Sequence, residues 1–282
     1  MILANFHTHS RFCDGTGELE DYVQDALRLG FHCLGFTSHA PLPFYQSFVM
    51  KNEELEDYCA LVRDLKLKYW NRIELYLGLE IDFIPGITGV NSLTFQALGL
   101  DYTIGSIHIF KTGDQAEYIC LDESDAEFER LLRDLFGRDV KRLIKHYYSL
   151  IRDMVEQGRP DVIGHLDVVK KFNWGSKYFN EEDSWYRREV LETLPVIASS
   201  GAVLEVNTGG ISRGYIQDPY PSQWILRECN KLGIPIMLNS DAHSPRNLTT
   251  AFTEVIPLLK EAGYFEQRIM LNGTWQNVSL EQ

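Results

Sequence analysis

His7-Thr8-His9 and Asp241-Ala242-His243 each set two metal-binding side chains two residues apart. On an extended strand that spacing turns both to one face. Together with His39, His108 and His165 they account for six of the chain's eight histidines, and all six stand at or near the ends of short apolar runs. Imidazole with carboxylate suits zinc, iron and manganese, so a polynuclear metal hydrolase is the first chemistry to consider. A lone strand histidine is more often a hydrogen-bonded core residue than a ligand. The joint pattern argues otherwise. Glu80, Glu205, Asn207 and Asp241 gather at the same run ends, and a purely structural account would need a partner for every buried polar group, at about 1–3 kcal/mol for each one unmet.

The elements that must carry these residues read as repeated βα units. Apolar, β-branched runs at 2–8, 33–38, 73–83, 102–110, 161–166, 202–208 and 235–240 alternate with helical patterns, with an eighth run at 268–271. That alternation predicts a parallel sheet or barrel, and in α/β barrels chemistry sits where the carboxyl ends of the strands converge. Helices are expected over 18–29, 52–70, 139–157, 181–200, 223–232 and 247–262 from their apolar spacing and end signals. Residues 40–48, 123–138 and 172–178 read as loops over the site. No linker, repeat or low-complexity tract divides the 282 residues, so a single domain over 1–282 is expected.

Composition limits the partners. A formal charge of −13 disfavours nucleic-acid backbone binding, which draws on clustered Lys and Arg, and favours a small substrate. No apolar stretch is long enough to span a bilayer, and the first residues lack the basic start of a secretion signal. Cys13, Cys33, Cys59, Cys120 and Cys229 are odd in number and have no CxxC spacing, which fits reduced thiols in a cytoplasm. Cys13 adjoins Asp14, but free cysteine usually just packs.

The chain resembles the PHP (polymerase and histidinol phosphatase) family of metal-dependent phosphoesterases through His7-Thr8-His9, Asp14, Thr37-Ser38-His39, Gly78-Leu79-Glu80, Gly105-Ser106-Ile107-His108, Gly164-His165 and Asp241-Ala242-His243. The stretches around His39, Glu80-Ile81-Asp82 and His108 look like its monofunctional histidinol-phosphate phosphatase branch. The resemblance implies a distorted (β/α)7 TIM-like barrel with the metal site at the C-terminal strand ends and up to three divalent metals. His7, His9, Glu80 and Asp241 would take the first metal. Glu80 would bridge to a second, with His108 and His165, and Asp14, His39 and His243 would take the third.

The activity so implied is hydrolysis of L-histidinol phosphate by a metal-bridging hydroxide, with Asp14 or His243 as general acid. Arg213, after the glycine-bearing Asn207-Thr208-Gly209-Gly210-Ile211-Ser212, resembles the branch's phosphate-binding arginine, and its planar fork suits phosphate oxygens. Lys170 and Lys171 are weaker phosphate candidates. Phe44, Tyr45, Phe48 and Asp82 are the loop residues available to an imidazole ring; none is singled out. His32 and His146 read as structural or surface. The alternatives are a PHP phosphoesterase for another small phosphomonoester or a nucleic-acid end, and a non-catalytic metal-binding protein.

Overall fold

A computed structural model describes residues 2–112 and 117–281. Seven parallel strands form one sheet in the order β1 (Ala4–Asn5), β2 (Cys33–Phe36), β3 (Glu74–Asp82), β4 (Tyr102–Ser106), β7 (Val162–Ile163), β8 (Val203–Asn207), β9 (Ile236–Asn239). The sheet curls until its edges meet. Thr8 bridges to Ala242 in parallel, with Ala242 N–H donating to His7 O at 3.1 Å and His9 N–H to Ala242 O at 2.9 Å. The two motifs that carry candidate ligands therefore lie side by side and join the first strand to the last.

The pleat of β3 shows how the barrel separates packing from chemistry. Leu75, Leu77, Leu79 and Ile81 enter an outer core with α1 (Leu19–Leu29) and α2 (Leu55–Tyr69), whereas Tyr76 packs with Phe6, Tyr102 and Met237 in a second cluster. Glu80 and Asp82 share the face of Tyr76 because the strand period is two. Val203 and Glu205 alternate with Leu204 and Val206 on β8 in the same way. Apolar residues fill the lower barrel and carboxylates its carboxyl end.

All seven expected barrel strands are present. The eighth run is not an eighth stave: β10 (Glu266–Leu271) pairs antiparallel with β11 (Thr274–Ser279) in a separate hairpin. The run at 102–110 also divides. β4 stops at Ser106, and β5 (Ile109–Thr112) pairs instead with β6 (Glu117–Cys120).

Residues 123–138 are not a loop. They carry α4 (Asp125–Phe136), capped by Ser124, whose side chain accepts from Glu127 N–H at 3.1 Å, and ended by Gly137 at φ 59°. Ser124-x-x-Glu127 ahead of Phe128, Leu131 and Leu132 is a helix-start signal in the sequence itself. Among the described residues, α3 (Leu93–Gln96), α5 (Val140–Asp153), α6 (Ser184–Ser200), α7 (Gly209–Ser212), α8 (Gln223–Lys231) and α9 (Phe252–Glu261) complete the helices. No described helix is long and apolar enough to cross a membrane.

Candidate metal centre

Glu80 is buried near the carboxyl end of β3 and turns its two oxygens to different neighbours. Oε2 lies 3.1 Å from His7 Nε2, 3.1 Å from His39 Nδ1 and 3.5 Å from His9 Nε2. Oε1 lies 2.9 Å from His165 Nε2 and 3.6 Å from His108 Nε2, and accepts from Ser106 Oγ at 2.7 Å. Asp241 Oδ1 completes the first side, 3.1 Å from His9 Nε2 and 3.6 Å from His7 Nε2. At the mouth, His243 Nε2 is 3.2 Å from Asp14 Oδ2, and Asp14 Oδ1 is 3.7 Å from His9 and 3.9 Å from His39.

Three groups of donor atoms are close enough to share an ion: His7, His9 and Asp241; His39, Glu80 and His108; and His9, Asp14, His39 and His243. Ligands at about 2.0–2.1 Å around a tetrahedral ion sit roughly 3.3 Å apart, within the range of these spacings. The polar atoms without hydrogen bonds argue the same way. His7 Nε2, His9 Nε2, His39 Nδ1, Glu80 Oε2 and Asp241 Oδ1 are buried and unpartnered, an arrangement that costs free energy unless something polar or cationic fills the space. The donor set fits divalent metal ions. The grouping differs from the sequence expectation: His39 reaches Glu80 through Nδ1 as well as Asp14 through Nε2, His9 stands between the first and third groups, Glu80 falls with His39 and His108 and not with His7, and His165 belongs to none of the three, approaching the site through Glu80 Oε1.

Hydrogen bonds from behind fix which nitrogen faces the site. His7 Nδ1 is 2.6 Å from Glu205 Oε1, and His108 Nδ1 is 3.0 Å from Asp82 Oδ1. A carboxylate on the far nitrogen orients the ring and makes it a stronger donor. Glu205 also accepts from His165 N–H at 2.9 Å, Asn239 Nδ2 at 2.9 Å and Asn207 Nδ2 at 3.0 Å. Asp82, offered on sequence as an imidazole contact, is instead buried as the partner of His108.

The electrostatics favour ligand-ready states for the acids. Burial alone would raise the Glu80 carboxyl, but His39, His7 and His108 hold it well below the usual range. Arg213 and His7 do the same for Asp241 against its burial. Burial and the neighbouring His243 and His39 push His9 down to about 3, so it is a neutral imidazole. Burial opposes the charged form of His108, yet Asp82 and Glu80 raise it to about 10. Cys13 Sγ lies 3.5 Å from His9 Nδ1, and burial pushes its thiol up to about 11.

Arg213 reaches the site from the loop after β8. Its Nη2 donates to Asp241 Oδ2 at 2.9 Å, and Nη1 lies 3.1 Å from His243 Nδ1. Gly209 permits that approach, since a Cβ there would stand 2.8 Å from both Arg213 Nη2 and Asp241 Oδ2. The cavity above, about 210 Å³, is lined by Arg213, Lys171, Asp122, Glu123, Phe48 and Tyr215 together with site residues. Lys171 Nζ donates to Asp122 Oδ2 at 3.0 Å and lies over the Tyr215 ring.

Lys170 departs from expectation. It is buried on Asp167 and outside this cavity, so it does not offer a charge to phosphate. Tyr45 is almost fully exposed, and Phe44 stacks on Tyr118; only Phe48 of those loop aromatics borders the cavity, edge-on to His39. His32 and His146 lie on the exposed surface, away from the site. Asp122 and Tyr220 were missed on sequence, because neither belongs to a motif and each reaches the cavity only through folding.

Fold and site define a TIM-like barrel built around a polynuclear metal centre. The PHP domain family matches residues 5–209, and the chain belongs to that family. It is 33% identical to a "Probable histidinol-phosphatase" of Deinococcus radiodurans over 93% of this chain and 94% of that protein. It is 30% identical to the histidinol-phosphatase of Bacillus subtilis over 87% and 95% of the two chains. The fold superposes with a TM-score of 0.70 on histidinol phosphate phosphatase from Lactococcus lactis, crystallised with zinc, L-histidinol and phosphate; the two are 20% identical, with 98% of this chain and 99% of that one covered.

Proposed function

We infer that this protein is a histidinol-phosphatase, a metal-dependent phosphomonoesterase that hydrolyses L-histidinol phosphate to L-histidinol and inorganic phosphate in histidine biosynthesis. Near-full-length similarity to histidinol-phosphatases supports the substrate. The observation that carries the chemistry is the Glu80 carboxylate, whose oxygens serve separate imidazole groups beneath a cavity bordered by Arg213.

In this reading His7, His9, Glu80 and Asp241 hold one ion, Glu80, His108 and His165 a second, and Asp14, His39 and His243 a third. Bound there, zinc, iron or manganese would neutralise charge on the phosphoryl oxygens and make hydroxide available near pH 7. Arg213, aligned by Asp241, grips the phosphoryl group with its fork, and Lys171 adds positive charge on the cavity wall. Where the third ion does not engage it, His243, 3.2 Å from Asp14 at the mouth, is the group placed to supply the proton that the departing alkoxide needs, because its imidazole is raised beside the Asp14 carboxylate, which itself stays ionised. Phe48, edge-on to His39, helps keep water from the reacting end. The single domain spans residues 1–282, and five cysteines, none of them paired, fit a cytoplasmic location.

A comparison of kcat/KM across L-histidinol phosphate, nucleotides, sugar phosphates and an aryl phosphate, with each metal supplied, tests this function. Histidinol phosphate is expected to lead by orders of magnitude. Similar values across the panel would move the assignment to a general phosphomonoesterase, and no phosphate release from any ester would remove catalysis altogether.

A further inference from the structure

Lys170 is 5% exposed, a costly location for an ammonium group. Its Nζ lies 2.8 Å from Asp167 Oδ2, donates to Pro219 O at 3.2 Å and to Ser222 Oγ, and sits over the Tyr220 ring. Asp167 is fully buried and also accepts from Ser222 N–H at 3.0 Å. One ion pair thus grips both ends of the segment from Pro219 to Ser222. Removing water from two charges makes such a pair a weak source of stability, so its geometry invites another explanation.

The gripped segment supports the arginine loop. Tyr220 exchanges backbone hydrogen bonds with Asn207 at 2.7 and 2.9 Å. Its ring and the Ile216 side chain together form the floor on which Gly210 rests, since a Cβ at Gly210 would stand 2.6 Å from Ile216 and 2.7 Å from Tyr220 Cε2. From there the chain turns directly to Arg213, whose N–H donates to Gly209 O at 3.0 Å. On the other side, Asp167 follows His165 by two residues, and the His165 and Tyr220 rings meet edge to face at 6.5 Å.

We propose that the buried Lys170–Asp167 pair is a positioning device, fixing the Arg213 loop against the strand tip that carries His165 so that the arginine meets the phosphate of the bound substrate. The inference rests on the phosphatase reading for its substrate. Lys170 acts through Tyr220 and the Gly209–Gly210 turn, and touches neither substrate nor ion.

The test uses the full-length, metal-loaded protein. It measures kcat and KM for L-histidinol phosphate, the inhibition constant of inorganic phosphate, and bound metal, in wild type, Lys170→Met, Lys170→Arg, Ser222→Ala and Arg213→Met, and in the Lys170→Met and Ser222→Ala variants combined with Arg213→Met. Lys170→Met is expected to raise KM and the phosphate inhibition constant on the order of tenfold to a hundredfold, as a displaced binding group does, with metal content unchanged and part of the loss restored in Lys170→Arg. In the Arg213→Met background the same change should add no more than about twofold, because residues acting through one group are not additive. An unchanged phosphate inhibition constant, effects of Lys170→Met and Arg213→Met that multiply, or loss of metal would overturn the proposal. Ser222→Ala leaves the charge pair in place and carries the same coupling test if Lys170→Met does not fold: non-multiplying effects support the proposal and multiplying effects overturn it. A wild type inactive on histidinol phosphate would count against the phosphatase reading instead.

Discussion

Glu80 and Glu205 are both buried carboxylates beside His7, yet they face opposite sides of its ring. Glu80 approaches Nε2 and the cavity; Glu205 holds Nδ1 from behind. Glu80→Ala should therefore remove nearly all activity and lower the metal content, whereas Glu205→Gln, which keeps the shape but loses the charge and one of the two accepting oxygens, should weaken metal affinity by roughly 10- to 100-fold. Elemental analysis and metal titration separate the two outcomes, and full metal content in Glu80→Ala would contradict a bridging role. Asp122 gives a pH-dependent counterpart. Burial would raise its carboxyl, but the ammonium of Lys171 together with the His108 and His165 imidazoles outweighs burial and holds it below the ordinary range. A carboxyl lowered in the folded state adds stability that is present above the unfolded value of about 3.9 and is lost as pH falls through the folded value. Asp122→Asn should cost about 2 kcal/mol at pH 7, and the gap to wild type should close below about pH 4; a gap that stays constant in denaturant titrations down to pH 2 would refute the pairing.

At the scale of elements, short strands place the candidate ligands and capped helices hold the strands. The outward residues of β3 pack on helices while its inward residues carry Glu80, so the same alternation serves stability and chemistry. Helix α4 shows how a local signal competes with an expectation of loops near an active site. Ser124 accepts from Glu127 N–H, and Phe128, Leu131 and Leu132 are buried. Ser124→Ala should cost about 1 kcal/mol in chemical denaturation with kcat unchanged, since the cap lies outside the metal site. Residues 268–271 read as an eighth run but belong to the hairpin of β10 and β11, because alternation reports a half-buried strand but not the sheet it joins.

At the scale of the molecule, closure of the barrel and assembly of the site are one event. Thr8 bridges to Ala242, and that pairing brings His7 and His9 against Asp241 and His243 across more than two hundred residues of chain. An ion held by both ends binds the folded state and not the unfolded one, so it stabilises by mass action, about 2.7 kcal/mol at a hundredfold excess over Kd. Removal of metal by a chelator should lower Tm by roughly 5–10 °C, and added zinc or manganese should restore it. A Tm indifferent to chelation would mean that the clusters do not hold ions in the folded protein.

The ligand types, their attachment to strand ends and the βα rhythm were already legible in the sequence, because side-chain chemistry and period-two alternation are local properties. His7-Thr8-His9, Glu80 and Asp241-Ala242-His243 needed no coordinates to be noticed. The partition among ions did not follow from spacing: His39 presents different nitrogens to Glu80 and Asp14, and His9 lies between two groups. Lys170 and Lys171 are adjacent in the chain, yet one is buried on Asp167 and the other borders the cavity beside Asp122. Such differences depend on which distant segment faces each side chain, and only the closed barrel decides that.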